Sequence, residues 1–462
     1  MDDGMNREGG LIMFKRKVLG LVVVSAFGIC SSCLVQGKTA FPDGFRWCVA
    51  SAAFQVEGGN TTSDWSLWEK EKGRIKGGRL SGLACDEWNR LPEDIVLMRE
   101  LHVGEYRMSI EWAKVEPLEG QYDQEVIAHY HDAIRSLLDA GIRPMITLQH
   151  FTFPAWLSAK GAWEWSGSTD AFAKFTSLVY TSIAPDVEDW VTINEPAVNI
   201  INGYLYGTMP PGEKRDFGGL TKVFTGMLRG HAAAYHQLHD LAAKSGHTVR
   251  VGLAHHLRTM DPYQKWNPLD QVAARVVDQA WNWSIPDAVE SGIYKLKIPF
   301  FVNVTEEIAG LKGTEDYFGL NYYTGDLMHF STSGAFETHT RDELAKNDLG
   351  WDIYPQGFAR ILKSVHARYP RLSIFITENG TADAVDRFRP QFIRDHLLVL
   401  SQAIQDGIDI RGYCHWSLMD NFEWNEGYTA RFGLYEMDPV TRVRTPRESS
   451  RVFSSIAKEN AL

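Results

Sequence analysis

Cysteine is scarce in this chain of 462 residues, with five in all. Cys30 and Cys33 fall among the first forty residues, and Cys48, Cys85 and Cys414 are scattered over the rest. Neither a zinc-ligand spacing nor a disulfide framework is visible in that distribution. Positive charge is also thin, since 47 Lys and Arg against 58 Asp and Glu leave a formal net charge of -11. No Lys/Arg-dense stretch occurs beyond the N-terminus, which argues against nucleic acid or any other polyanion as a partner. No low-complexity or Pro/Ser-rich stretch reads as a linker. The apolar run Val18 to Ile29 is too short to cross a bilayer comfortably.

That run belongs to a segment unlike the rest. Lys15-Arg16-Lys17 precedes it and small residues around Cys30-Ser31-Ser32-Cys33 follow, which is the order of a secretory signal. Residues 1–40 are therefore expected to be a signal-like segment on an exported protein, whether periplasmic, secreted or membrane-anchored through a lipidated Cys33. The competing expectation is an apolar extension on a cytoplasmic protein. Met1 to Ile12 fit poorly ahead of such a signal, which leaves Met13 as an alternative start to Met1.

Residues 41–462 are expected to form one domain. Apolar residues make up 44% of the chain, enough to bury a large core. Eight apolar or β-branched runs appear, at Phe45 to Ala53, Gly104 to Trp112, Arg143 to Phe151, Val187 to Ile193, Val249 to His256, Asp316 to Thr324, Leu372 to Thr377 and Ile408 to Leu418. Helical patterns lie between them, as at Gln124 to Ala140, where apolar residues recur at helical spacing and Gly141 ends the run. Eight strands interleaved with helices point to a single α/β (β/α)8 barrel, with an open doubly wound sheet as the competitor. Polar and aromatic residues crowd the carboxyl ends of these runs, and only a closed barrel brings all eight ends to one mouth. Aromatics are plentiful, at 15 Trp, 17 Tyr and 23 Phe, and such rings serve sugar clefts as flat apolar platforms.

Two carboxylates stand out at those ends. Glu195 lies in Thr192-Ile193-Asn194-Glu195-Pro196 and Glu378 in Ile376-Thr377-Glu378-Asn379-Gly380, each closing a strand-like run. Glycoside hydrolysis requires this pair, one carboxylic acid to protonate the departing oxygen and one carboxylate to attack the anomeric carbon or activate water. Arg107 is the candidate cation to keep Glu378 ionised. A charged Glu378 nearby would in turn raise the pKa of Glu195 and keep it protonated. Once a glycosyl-enzyme forms that charge is gone, so Glu195 can serve as base toward water. A lone strand-end Glu is more often a salt-bridged or capping residue, but two in matched frames favour catalysis.

These two frames, the opening Phe41-Pro42-Asp43-Gly44-Phe45 and Gln55-Val56-Glu57-Gly58, Tyr106 to Trp112, Asn321-Tyr322-Tyr323, and His415 to Trp424 occur in order from Phe41 to about Ile456. Together they resemble glycoside hydrolase family 1, the β-glucosidase family. The resemblance implies a (β/α)8 barrel, retention of β-configuration, Glu195 as acid/base, Glu378 as nucleophile, and no metal or organic cofactor. It implies that Gln55, His150, Asn194, Glu423 and Trp424 grip the sugar over a Trp416 floor. It also implies that Arg107, Asn321 and Tyr323 hold the nucleophile, Tyr323 serving substrate binding as well. Two positions depart from the common pattern: Phe151 stands where many members place Trp, and Cys48 where Gly is common.

The implied substrate is a small-molecule or oligosaccharide β-glycoside. Members that act on 6-phosphorylated glycosides carry a Ser and a Lys/Tyr pair after the eighth strand, whereas Asn421-Phe422-Glu423-Trp424-Asn425 offers a carboxylate that would repel phosphate. An unphosphorylated glucoside, galactoside or fucoside is expected. The loops Lys160 to Asp170 and Phe330 to Gly350 are expected to shape the aglycone side. His231, His236, His239, His255 and His256 read as structural or surface residues. The alternatives are a transglycosylase using the same two glutamates for an alcohol or lipid acceptor, a catalytically inactive carbohydrate-binding protein of the same fold, and a metal-dependent barrel hydrolase. The last would need His/Asp ligand clusters that the sequence does not pattern.

Overall fold

In a computed structural model of the protein, residues 39–298, 302–331 and 336–462 are described. The signal-like segment, apart from Thr39 and Ala40, lies outside them. Thirteen strands carry the architecture: β1 Arg46–Ala50, β2 Glu105–Ser109, β3 Arg143–Gln149, β4 Asp189–Asn194, β5 Arg250–His256, β6 Thr259–Pro262, β7 Ile293–Ile298, β8 Val302–Glu307, β9 Tyr317–Tyr322, β10 Gly325–Phe330, β11 Phe336–His339, β12 Ser373–Asn379 and β13 Ile410–Trp416. Eight of them close a parallel barrel in the order β1-β13-β12-β9-β5-β4-β3-β2. These are the eight runs read from the sequence, with ends trimmed by a few residues. The doubly wound alternative is excluded by β1 pairing with both β2 and β13.

The strands are nearly continuous apolar runs because both faces are covered, helices outside and barrel core inside. Every residue of β2, β4 and β9 is buried. Connecting helices show the complementary stripe. Gln124–Asp139 buries Ile127, Tyr130, Ile134 and Leu137, is capped by the Asp123 carboxylate on the Glu125 and Val126 amides, and ends before Gly141 at φ 77°.

The amino ends of four barrel strands carry charge. Arg46 bridges Glu105 and Asp189, and Arg250 bonds Asp189 at 2.8 Å, so the first residues of β1, β2, β4 and β5 form one ion-pair network. Such a network makes the closed end polar and satisfied, leaving the carboxyl ends as the open mouth.

Two expectations are corrected. Cys48 and Cys414 form a disulfide, 366 residues apart in sequence, whereas no disulfide was expected. Barrel closure brings them together, since they are direct partners across the β1–β13 seam. Cys85 is free and buried. The stretch Phe330 to Gly350 is not wholly loop: β11 pairs antiparallel with β10, which pairs in turn with β6, in a small sheet outside the barrel. Helix Pro268–Asp278 packs on that sheet through Ala273, Ala274 and Met328. β7 and β8 make a separate antiparallel ribbon.

Candidate active site

Both strands that deliver the glutamates break register just before the carboxylate. On β4 the pairing with β5 runs Val191 to Gly252 and then Asn194 to Ala254; on β12 the pairing with β9 runs Ile376 to Leu320 and then Glu378 to Asn321. Each break inserts an extra residue, and a bulge of this kind re-aims the side chains that follow. Glu195 is further turned by a left-handed backbone, φ 44° and ψ 61°, between the end of β4 and the helix Pro196–Ile200. Pro196 opens that helix and disfavours the right-handed helical region for Glu195. Phe151 and Trp424, also at positive φ (68° and 51°), line the same cavity. Backbone strain of this kind gathers at functional sites.

The cavity has a volume of about 480 Å³ and is lined by Glu195, Glu378, His150, Asn194, Tyr323, Trp416, Glu423 and Trp424 among others. Glu378 is held at both oxygens. Arg107 Nη1 donates to Oε1 at 2.5 Å and Tyr323 OH to Oε2 at 2.6 Å. The remaining Arg107 donors reach the Thr377 carbonyl, Thr147 Oγ1 and Asn194 Oδ1, which fixes the guanidinium in a fully buried position.

Glu195 is held differently. Asn321 Nδ2 donates to its Oε1 at 2.8 Å, and His256 Nδ1 stands 4.0 Å from Oε2. Burial, and after it the negative charge of Glu378, push the Glu195 carboxyl well above the usual range, while the Asn321 bond and Arg107 pull the other way. The expected partner of Asn321 is thereby corrected. It is the strand neighbour of Glu378, but its side chain bonds Glu195, because Thr377 Oγ1 donates to Asn321 Oδ1 at 2.6 Å and turns the amide nitrogen away.

One set of donors and acceptors orders the whole wall. Asn194 Oδ1 accepts from Arg107 and Asn321, so Asn194 Nδ2 must face His150 Nε2, at 3.0 Å. With Nε2 accepting, the His150 proton resides on Nδ1, which has no protein partner. Burial and the Arg107 charge hold His150 well below the usual histidine range, so the ring is neutral. Gln55 lies behind Glu423 and donates to its Oε2 at 3.1 Å and to Asn421 Oδ1 at 3.0 Å. Burial and the Glu378 charge push Glu423 up to about 8. Trp424 stacks on Phe54 and, more loosely, on His150; Trp416 also stacks with His150 at 5.9 Å between ring centroids.

The structure thus brings together every site residue singled out from the sequence, Gln55 as a support rather than as a wall. Three features were missed. Thr377 orients Asn321. His256, read as structural, closes β5 on the cavity with both ring nitrogens unpartnered in hydrogen bonding, and burial with Arg258 lowers it to about 3. His255 does fit the structural reading, paired with Glu315 at 2.8 Å. The third is a long apolar extension of the cavity. Phe336 and Thr338 reach it from the stretch 330–350, but no residue of 160–170 does. Among the described residues no group of three His, Cys, Asp or Glu side chains could hold a metal ion.

Cleavage of a glycosidic bond is the chemistry that needs two carboxyl groups in unlike surroundings in a sugar-sized cavity, and a glycoside hydrolase is the class that this barrel and mouth define. Residues 37–462 match the family model described as glycosyl hydrolase family 1, and the chain belongs to that family. Beta-glucosidase A of Thermotoga maritima is 33% identical over 445 residues, covering 91% of this chain and 98% of that protein. The solved structure of a beta-glycosidase from Pyrococcus horikoshii superimposes with a TM-score of 0.84 at 34% identity, covering 92% of this chain and 96% of its own. A beta-glucosidase from Thermotoga maritima in complex with glucoimidazole does so with a TM-score of 0.85 at 31% identity, covering 92% and 100%.

Proposed function

We propose that the protein is a retaining β-glycosidase that hydrolyses O-linked, unphosphorylated β-D-glycosides, glucosides first and galactosides or fucosides after them. The observation that carries this reading is the split environment of the two glutamates. Glu378, gripped by Arg107 and Tyr323, attacks the anomeric carbon as the glycosidic bond breaks, and Glu195 gives its proton to the departing oxygen. The glycosyl ester neutralises Glu378, which removes one cause of the raised Glu195 affinity. Glu195 then takes a proton from water, whose oxygen displaces Glu378 at the same carbon. His150, Asn194 and Glu423 address the sugar hydroxyls, Gln55 holding Glu423 in place, with Trp416 and Trp424 as apolar platforms.

The test is hydrolysis of p-nitrophenyl β-glucoside, β-galactoside and β-fucoside followed by proton NMR of the first sugar released. β-Anomer first is expected; α-anomer first, or no turnover of any of the three, overturns the reading. Added alcohol raising transfer product at the expense of water product would make transglycosylation the main activity.

Export is proposed as well. It rests on Lys15-Arg16-Lys17 ahead of the apolar run, and the Cys48–Cys414 bond supports it because oxidising compartments favour disulfides. N-terminal sequencing and lipid labelling of the mature protein distinguish free secretion from a lipid anchor at Cys33; an uncleaved cytoplasmic protein refutes export.

A further inference from the structure

Beyond Glu195 the cavity changes character. Val198, Ile201 and Leu205 line one side, from the helical turns that follow β4. The other side is built by elements outside the barrel: Met260 on β6, Met328 on β10, Phe336 on β11 and Val277 on the helix Pro268–Asp278. The polar residues along this part are spent or lie in solvent. Asn202 donates to the Val198 carbonyl and accepts from Thr208, Arg258 and Asp326 pair at 3.0 Å, and Tyr206 and Thr338 are exposed. Arg258 Nε and Asp326 Oδ2 face each other only as an ion pair, and the two ring nitrogens of His256 are buried beside Glu195 without a hydrogen bond.

We infer that this enzyme takes β-glycosides of a long apolar alcohol, with a hydrocarbon aglycone of about eight carbons or more, rather than disaccharides. The inference rests on the β-glycosidase reading above and names its leaving group. A second sugar would bury several hydroxyls against Met, Val, Ile and Phe side chains without partners, which is unfavourable. A hydrocarbon chain gains from the same wall with every methylene it buries. Methionines suit such a wall, since their unbranched side chains adapt to chains of different shape.

The experiment compares kcat/KM for ethyl, butyl, hexyl and octyl β-D-glucosides, below micelle-forming concentrations, with cellobiose. Each added methylene is expected to raise kcat/KM by about two- to fourfold, placing octyl above ethyl by about a hundredfold or more and cellobiose below octyl. Val277→Asn and Met328→Gln should each flatten the slope; two sites on different elements guard against a variant that does not fold. A flat series, or cellobiose cleaved better than octyl glucoside, overturns the inference while leaving the β-glycosidase reading intact. If no glycoside is cleaved, that reading fails instead. Calorimetric binding of the same series to Glu378→Gln then still decides, because an affinity independent of chain length overturns the apolar site.

Discussion

The Thr377 hydroxyl gives the sharpest test of how the two glutamates are kept apart in function. It donates to Asn321 Oδ1 at 2.6 Å and, together with the Asn321 Nδ2 bond to Asn194 Oδ1, sets which end of the Asn321 amide faces Glu195 Oε1. Thr377→Val keeps the shape and removes the donor. One buried hydrogen bond is lost and an acceptor is orphaned, a cost of about 1–3 kcal/mol. Spread over a unit of about 420 residues, that is a melting-point drop of only about 1–3 °C. The fold should therefore survive while the site changes. With the amide held from one side only, by its bond to Asn194, the N–H bond to Glu195 weakens, and kcat/KM should fall by about tenfold, the equivalent of about 1.4 kcal/mol. The pH dependence carries the specific signature. A donated N–H favours the carboxylate, so losing it raises the proton affinity of Glu195 further. The alkaline limb of kcat/KM, where the acid loses its proton, should move to higher pH, and Thr377→Ser should restore both limb and rate. A slowed Thr377→Val enzyme whose alkaline limb stays put or moves to lower pH refutes this account of Glu195.

Glu195→Gln should slow cleavage of alkyl β-glucosides by about 10²–10⁴, and slow the burst from 2,4-dinitrophenyl β-glucoside far less, because that leaving group needs no proton; equal losses would exclude Glu195 as the acid. The Cys48–Cys414 bond closes a span of 366 residues, worth roughly 6 kcal/mol on the chain-entropy account. A non-reducing digest should yield the two peptides as one species, and reduction should lower the melting point; separate peptides would disprove the bond. Asp64, buried and bonded by the Phe153 and Trp65 amides, is pushed up to about 8 by burial. Its folded affinity exceeds the unfolded value of 3.8, so it costs stability progressively as pH rises from about 4 to about 8. Asp64→Asn, neutral throughout, should gain on the wild type by a few kcal/mol across that window in urea midpoints; a pH-independent difference would count against a protonated Asp64.

Much of the barrel was legible because parallel strands buried on both faces are written as continuous apolar runs, and all eight such runs became barrel strands. The glutamates were legible because catalysis at a barrel rim demands strand-end carboxylates. What escaped notice depends on where closure puts things. Cys48 and Cys414 could be paired only after β1 was known to lie beside β13. Asn321 was given to Glu378 by the family resemblance, yet a bulge and one Thr hydroxyl turn it toward Glu195. His256 was set aside because no motif includes it, and His255 beside it is indeed paired within the core; alternation along β5 sends the two rings opposite ways. The segments 160–170 and 330–350 looked alike as loops, and only the second contains a strand that reaches the cavity.

The β1–β13 seam has a wider meaning for this molecule. The Leu462 amide donates to the Thr39 carbonyl at 3.0 Å, and Phe41 likewise bonds the Asn460 carbonyl, so the ends of the barrel unit meet where the disulfide already clasps its first and last strands. Such a unit is a ring that gene order happens to open at one point. Joining 462 to 39 by a short linker and starting the chain in another exterior loop should give the same barrel, the same clasp and the same mouth.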